Sequence, residues 1–191
     1  MQNAPKRLPV IRGTTDGAKC FECPFAKMGQ PNRPVTGEGV ADPKWIVVGE
    51  GPGHNEVLQN RPFIGASGRL VTDILSRIGT SRDTIWMTNV TLCRPPHAAT
   101  EASKRAAREA CSLRLQRELQ LFPDRPVLAL GSLAAQGFIG DRLSITKMSG
   151  AYYEVDIAQP PPWTPVAESE VTRRREDYSS PIVNTTDGDI P

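Results

Sequence analysis

The sequence predicts an α/β protein: a three-layer αβα fold with a central, mostly parallel four-stranded sheet. Short, almost continuously apolar segments alternate along the chain with segments of helical periodicity. The apolar segments lack the alternation of a half-exposed strand, which is typical of strands buried on both faces. Strands of this kind, separated by helices, form a parallel sheet with helices on each side.

The first half of the chain contains two predicted strands. Residues 44–50 (KWIVVGE) are an apolar run that ends in Gly-Glu, and residues 84–93 (TIWMTNVTLC) are rich in β-branched and aromatic residues. The glycine- and proline-rich residues 51–68 between them predict a long loop. Residues 67–79 (SGRLVTDILSRIG) have apolar side chains at helical spacing, and Gly79 predicts where this helix stops.

The second half begins with a long helix and continues the alternation. Residues 100–121 have the pattern of an amphipathic helix, with Thr100 or Ser103 as the N-cap. The other predicted elements are a third strand (125–131), a short helix (132–140), a fourth strand (151–157) and a further strand beginning at 181–183.

Length and composition predict one globular domain over residues 1–191. Residues 158–181, proline-rich and then charged, are expected to be an exposed loop or insertion, and residues 1–19 and 24–43 irregular. The net charge of +2 permits nucleic-acid binding without requiring it. The sequence contains no apolar run of about 18 residues and no signal-peptide core near its start, so we expect no membrane span and a cytoplasmic location.

Three residues with functional potential lie where predicted strands end. Glu50 ends the first strand, Asn89 lies near the end of the second, and Gly131 ends the third. In open α/β sheets ligands bind outside the carboxyl ends of the strands. We therefore expect these residues to converge on one crevice.

Four cysteines are candidate metal ligands. Cys20 and Cys23 form a CxxC pair, Cys93 closes the second strand, and Cys111 lies within the long helix. Thiols stay reduced in the cytosol, where such a pattern indicates a metal site before it indicates disulfides. Tetrahedral zinc uses the same ligands as an iron–sulfur cluster, so spacing alone does not name the metal. The alternative to a shared metal site is that Cys93 and Cys111 are unrelated thiols in the core.

Five motifs in order resemble one family. They are GEGPG, RPFIGASG, TNVTLCRPP, LALGSLAAQGFIG and ITKMSG, and with the cysteines they extend from about Cys20 to Gly150. Together they are similar to the iron–sulfur (family 4 type) uracil-DNA glycosylases. The resemblance implies a uracil-DNA glycosylase-like fold and hydrolysis of the N-glycosidic bond of a flipped-out uracil in DNA. It also implies a 4Fe-4S cluster held by the four cysteines, and DNA containing uracil as the partner of a monomer.

The resemblance also implies roles for single residues. Phe63 would stack on the flipped base, Asn89 would read its edge, and Glu50 would lie beside the sugar as the catalytic carboxylate. Glu56 would lie against the C5 edge of the base, where bulk excludes the methyl group of thymine. Gly51 and Gly53 would let the backbone approach the ligand. The proposed phosphate contacts are Arg61, Ser67, Arg69, Arg94, Lys147 and Ser149.

The chain departs from this family near its end. The family has a late Thr-x-His-Pro motif whose histidine donates a hydrogen bond to uracil, but the two histidines here are His54 and His97. Asp187 is in the corresponding region, and an ionised carboxylate cannot donate that bond. Val57 and Asn60 replace residues that are commonly acidic and glycine in the family. A catalytically weak or inactive DNA-binding module therefore remains an alternative to an active enzyme, as does a zinc protein with unrelated hydrolase activity.

Overall fold

The computed structural model describes residues 9–28, 33–140 and Gly150. Its strands are β1 (Val10–Arg12), β2 (Glu38–Val40), β3 (Trp45–Gly49), β4 (Ile85–Asn89) and β5 (Val127–Ala129). Its helices are α1 (Pro24–Lys27), α2 (His54–Gln59), α3 (Ala66–Arg77), α4 (Glu101–Gln120) and α5 (Ser132–Ile139), with a 3-10 turn at Arg82–Thr84. The predictions for 151–157, 158–181, 181–183, Lys147, Ser149 and Asp187 fall outside these residues.

The strands form one mixed sheet in the order β1-β2-β4-β3-β5. Strands β4, β3 and β5 are parallel, whereas β1 and β2 extend one side in antiparallel pairing. The α/β class is confirmed, but the described sheet has five strands, and two of its four pairings are antiparallel. The additional strands lie in segments that we expected to be irregular. They are only three residues long, and β2 has the sequence Glu-Gly-Val, so local propensity does not reveal them.

Helices cover both faces of the sheet. Ile46, Val48 and Trp86 pack with α4 and α5 on one face, while Val47 and Met87 pack with α3 on the other. Successive residues of β3 thus point into opposite apolar layers, which explains why its sequence is apolar without alternation. The three-layer arrangement predicted from the sequence is confirmed in the described residues.

Two local predictions need adjustment. The predicted long loop at 51–68 contains α2, and α3 already begins at Ala66. Glycines at 53 and 65 occupy the N-cap positions of these helices, so residues that look like loop formers are in fact helix starts. The long helix agrees with the prediction, and Thr100 is its N-cap because its hydroxyl accepts a hydrogen bond from the Ser103 amide at 3.2 Å. No helix in the described residues is both long and apolar enough to cross a membrane.

Candidate functional site

The carboxyl ends of the parallel strands bring Glu50, Asn89 and Gly131 together, as the topology predicted. Asn89 pairs in register with Gly49, the residue before Glu50. Glu50 Oε1 accepts a hydrogen bond from the Leu133 amide at 3.0 Å, in the first turn of α5. Gly131 has φ +96°, and a Cβ there would lie 2.6 Å from Glu50 Oε1. The absence of a side chain at 131 thus lets the Glu50 carboxylate reach the positive end of α5.

The Phe63 ring and the Asn89 amide both approach the backbone of Gly49. A Cβ at Gly49 would lie 2.6 Å from Phe63 Cζ and 2.6 Å from Asn89 Oδ1. Asn89 is 3% exposed and Phe63 is half-buried against the α3 side of the sheet. An aromatic ring and a side-chain amide therefore lie beside one glycine at the end of β3.

Glu56 is a buried carboxylate that holds the next loop. Its Oε1 accepts hydrogen bonds from the amides of Ile64 at 2.9 Å and Gly65 at 2.6 Å. A Cβ at Gly53 would lie 2.6 Å from the other carboxylate oxygen. The described contacts of Glu56 are with the protein backbone, and its predicted contact with the C5 edge of a base stays a prediction.

Glu38, on β2, is a buried acidic residue that sequence reasoning missed. Arg61 donates to both of its carboxylate oxygens, with Nη2 2.7 Å from Oε1, and Arg82 Nη2 lies 3.0 Å from Oε1. Arg12 Nη2 is 3.5 Å from Oε2. Burial raises the pKa of Glu38, but the hydrogen bonds and positive charges of Arg61 and Arg82 outweigh it, so the pKa lies below its ordinary value.

The residues predicted to contact phosphates differ in their exposure and in the groups they already bind. Arg61 is engaged by Glu38, although its side chain stays 45% exposed. Ser67 and Arg69 are exposed in the first turns of α3, and Arg69 Nη1 lies 3.4 Å from the Ile64 carbonyl oxygen. Arg94 Nη1 lies 3.4 Å from His54 Nδ1. Contact of these residues with DNA stays a prediction, and a phosphate role for Arg61 would have to coexist with its ion pair.

All four cysteines line one cavity between the N-terminal segment, the residues that follow β4, and α4, so Cys93 lies beyond the end of the strand that it was expected to close. Cys20 is exposed, Cys93 is half-buried, and Cys23 and Cys111 are buried. Burial, followed by repulsion from the other three thiols, raises the pKa of Cys93 to about 12. Among the described residues, no three His, Cys, Asp or Glu side chains form a group suited to one metal ion. The thiols are therefore close enough to influence one another.

A buried ion pair in α4 contacts the end of β4. Arg114 donates to Glu118 Oε2 at 2.5 Å and to the backbone carbonyl oxygen of Asn89 at 2.6 Å. Glu118 also accepts from Trp86 Nε1 at 3.1 Å and Thr88 Oγ1 at 2.8 Å. These charges lie one turn apart in α4, in a sequence that reads as an ordinary charged helix face. Their only sequence signal is the i, i+4 spacing, which is equally typical of exposed pairs.

The amino-acid sequence matches a known protein family and several of its members. The family model for the "Uracil DNA glycosylase superfamily" matches residues 36–176. A type-4 uracil-DNA glycosylase of Thermotoga maritima is 37% identical over 133 residues, covering 69% of this chain and 67% of the relative. That of Pyrobaculum aerophilum is 38% identical over 120 residues, covering 63% of this chain and 59% of the relative. That of Archaeoglobus fulgidus is 34% identical over 126 residues, covering 64% and 62%. Each match thus spans roughly three fifths to two thirds of the relative's length. The resemblance predicted from the five motifs is confirmed: the chain belongs to the uracil DNA glycosylase superfamily.

Proposed function

We propose that this chain is a uracil-DNA glycosylase that hydrolyses the N-glycosidic bond of a uracil flipped out of DNA, the first step of base excision repair. The observation that carries the proposal is the approach of the Phe63 ring and the Asn89 amide to the same backbone at Gly49. An enzyme that acts on one base must take it out of the stack, pack against its face and read its edge. The ring would provide the packing and the amide would provide the reading.

Asn89 is suited to distinguish uracil from cytosine. Its side chain offers one acceptor and one pair of donors, which match the N–H and carbonyl groups of a uracil edge. On the N3–C4 edge cytosine presents the reverse pattern, an acceptor at N3 and a donor at the C4 amino group, and an unmatched buried polar group is costly. Because Arg114 binds the backbone carbonyl oxygen of Asn89, the backbone that carries the side-chain amide is held in place before a base arrives.

Glu50 would act at the sugar. As the glycosidic bond breaks, the sugar becomes cationic and uracil leaves as an anion. A carboxylate beside the sugar stabilises the cation or orients the attacking water. Glu50 Oε1 is held by the Leu133 amide, so Oε2 is the oxygen that we assign to this role. Gly51 and Gly53 would allow close approach of the ligand to the backbone.

We further propose that Cys20, Cys23, Cys93 and Cys111 hold a 4Fe-4S cluster. A zinc ion binds four sulfurs at about 2.3 Å from one centre, whereas a cluster spreads its ligands over several irons. The four thiols line one cavity, and the motifs around them resemble those of the iron–sulfur type of glycosylase, which favours the larger cofactor. Bound there, the cluster would supply a cross-link. It would join the segment before α1 to β4 and α4, where the Lys19 amide already donates to the Ala110 carbonyl oxygen at 2.8 Å.

A DNA-binding module without base release is the second candidate. The sequence lacks the late Thr-x-His-Pro motif and has only two histidines, His54 and His97. Loss of one donor to a developing anion commonly slows an enzyme by about 10²–10³-fold. Salt-dependent DNA binding without formation of abasic sites would favour this second function.

The deciding experiment is excision of uracil from single-stranded and base-paired oligonucleotides by the full chain with its iron retained, followed by alkaline cleavage. We expect strand breaks at uracil. Asn89→Ala should slow single-turnover excision by about 10²-fold or more, because it removes the reading amide. Gln120→Ala, an exposed amide on the far end of α4, is the matched control. Absence of excision by the iron-loaded wild-type chain refutes the enzymatic proposal.

Two broader expectations accompany this function. A repair glycosylase works where the genome is, so we propose a cytoplasmic location, in the host cell if a virus encodes the chain. We also propose a monomer, since one flipped base occupies one site. Cell fractionation tests the first proposal, and light scattering with and without DNA tests the second.

A further inference from the structure

The loop that carries Phe63 has a strained backbone. Of the non-glycine residues that the structure describes, only Asn60, Phe63 and Asp124 have φ in the left-handed region, and two of these lie in residues 60–65, the Phe63 loop. Phe63 has φ +55°, a backbone conformation that residues other than glycine rarely adopt. Such residues persist only where the surrounding structure holds them.

Side chains from distant parts of the chain bind three carbonyl oxygens of the Phe63 loop, those of Asn60, Pro62 and Phe63. Arg12 Nη1 donates to the Asn60 carbonyl oxygen at 2.6 Å. Arg82 donates through Nη1 to the Phe63 carbonyl oxygen at 2.7 Å, and through Nη2 to that of Pro62. The following amides of the loop are bound by Glu56, as described above. The strained segment is thus held on its carbonyl side by cations and on its amide side by a carboxylate.

Glu38 organises the cations. Its side chain is only 4% exposed, and Arg12, Arg61 and Arg82 all lie within 3.5 Å of its oxygens. We call Glu38 and these three arginines the Glu38 cluster. A buried carboxylate fixes the planar guanidiniums, and those of Arg12 and Arg82 also donate to carbonyls of the loop. Gly68 closes the other side, where a Cβ would lie 2.0 Å from the Phe63 carbonyl oxygen.

We propose that Glu38 and Arg82 are positioning residues for base recognition, which keep the Phe63 ring against Gly49 beside Asn89 by holding the Phe63 loop in its strained conformation. This inference rests on the proposed function, because it assigns the ring a task in base stacking. Without the two bonds from Arg82, the backbone at Phe63 relaxes toward negative φ and the ring leaves its place. Neither residue is assigned a contact with the base.

The first test measures the loop directly. Hydrogen exchange of the full chain should show faster exchange of the Ile64 and Gly65 amides in Arg82→Gln than in the wild type. Arg77→Gln is the matched control, since Arg77 is 75% exposed and pairs only with Asp73 among the described residues. Arg82→Lys keeps a charge beside Glu38 but cannot bind both carbonyls with a fixed fork, so it replaces Arg82→Gln if that variant fails to fold. Unchanged exchange of both amides overturns the inference.

The second test asks whether Arg82 acts through Phe63. Arg82→Gln should slow single-turnover excision by about 10–100-fold, the scale of a displaced positioning group. In a Phe63→Ala background the same change should have little further effect, because the ring that it positions is absent. Effects that multiply in the double variant indicate a general structural role and overturn the inference.

The two proposals fail separately. If the wild-type chain releases no uracil, the proposed function fails, and hydrogen exchange alone decides whether the Glu38 cluster holds the loop. If uracil is released and exchange of the loop amides is unchanged in both Arg82 variants, the function stands and the positioning role is refuted.

Discussion

Gly49→Ala tests the site without altering any group assigned to the chemistry. The added Cβ would lie 2.6 Å from both Phe63 Cζ and Asn89 Oδ1, whereas ordinary contacts begin near 3.4 Å. Both contacts must therefore open by 3.4 − 2.6 = 0.8 Å, which displaces the ring and the amide relative to the backbone of Gly49. A displacement of about 1 Å in a positioned group can cost about 10²-fold in rate. We expect single-turnover excision of uracil to fall by about 10–100-fold.

Stability separates this effect from simple unfolding. Gly49 does not have a positive φ, so its backbone accepts alanine. Replacing glycine by alanine at such a position lowers the entropy of the unfolded chain and stabilises the protein by about 0.4–1 kcal/mol, which offsets part of the crowding. Urea denaturation should therefore show a free energy of unfolding within about 2 kcal/mol of the wild-type value, because crowding in a packed region costs about 1–3 kcal/mol.

Gly137→Ala is the matched control. Gly137 lies within α5, and its added Cβ would meet Val90 Cγ1 at 3.3 Å, a tight contact that asks a small shift of one methyl group, and Arg108 Cδ at 3.5 Å, an ordinary contact. This variant should keep wild-type excision. A folded Gly49→Ala protein that excises uracil at the wild-type rate would refute the assignment of the Gly49 surface as the base site.

Three further predictions concern stability and the cysteine site. Arg114→Leu leaves Glu118 buried without its cation, so the free energy of unfolding in urea should fall by about 3–5 kcal/mol, and a loss below about 1 kcal/mol contradicts the buried pair. Because the pKa of Glu38 is depressed in the folded state, its stabilisation is present above the ordinary pKa of 4.5 and is lost as pH falls through the folded value. Glu38→Gln should therefore be less stable than the wild type at pH 7, with a gap that narrows in acid; a constant gap contradicts this. Chain purified without oxygen should be brown and contain iron, and Cys93→Ser should lose iron and thermal stability; colourless zinc-loaded protein would refute the cluster.

The candidate residues at the strand ends could be predicted because local sequence carries their signal. Apolar runs identify the three parallel strands, and the rule for open α/β sheets then places Glu50, Asn89 and Gly131 at one edge. Phe63 and the cysteines were assigned through motifs that resemble a family. Each of these signals lies within a few consecutive residues, so no knowledge of distant contacts was required.

The supporting charges could not be predicted in the same way. Glu38 belongs to a short Glu-Gly-Val segment, and Arg114 and Glu118 look like an exposed helical pair. A charged residue is buried only when partners from elsewhere in the chain satisfy it, and sequence distance hides those partners. Arg82 and Glu38 lie 44 positions apart, yet both hold the Phe63 loop.

The sequence by itself determined the α/β class, the positions of the parallel strands and the convergence of Glu50, Asn89 and Gly131 at one edge of the sheet, since periodicity and short motifs are local properties. Tertiary structure alone decided the antiparallel extension of the sheet, the burial of Glu38, Arg114 and Glu118, and the left-handed backbone at Phe63. The physical reason is that a strained loop and a buried charge are unfavourable in isolation. They exist only where packing brings together the groups that compensate them.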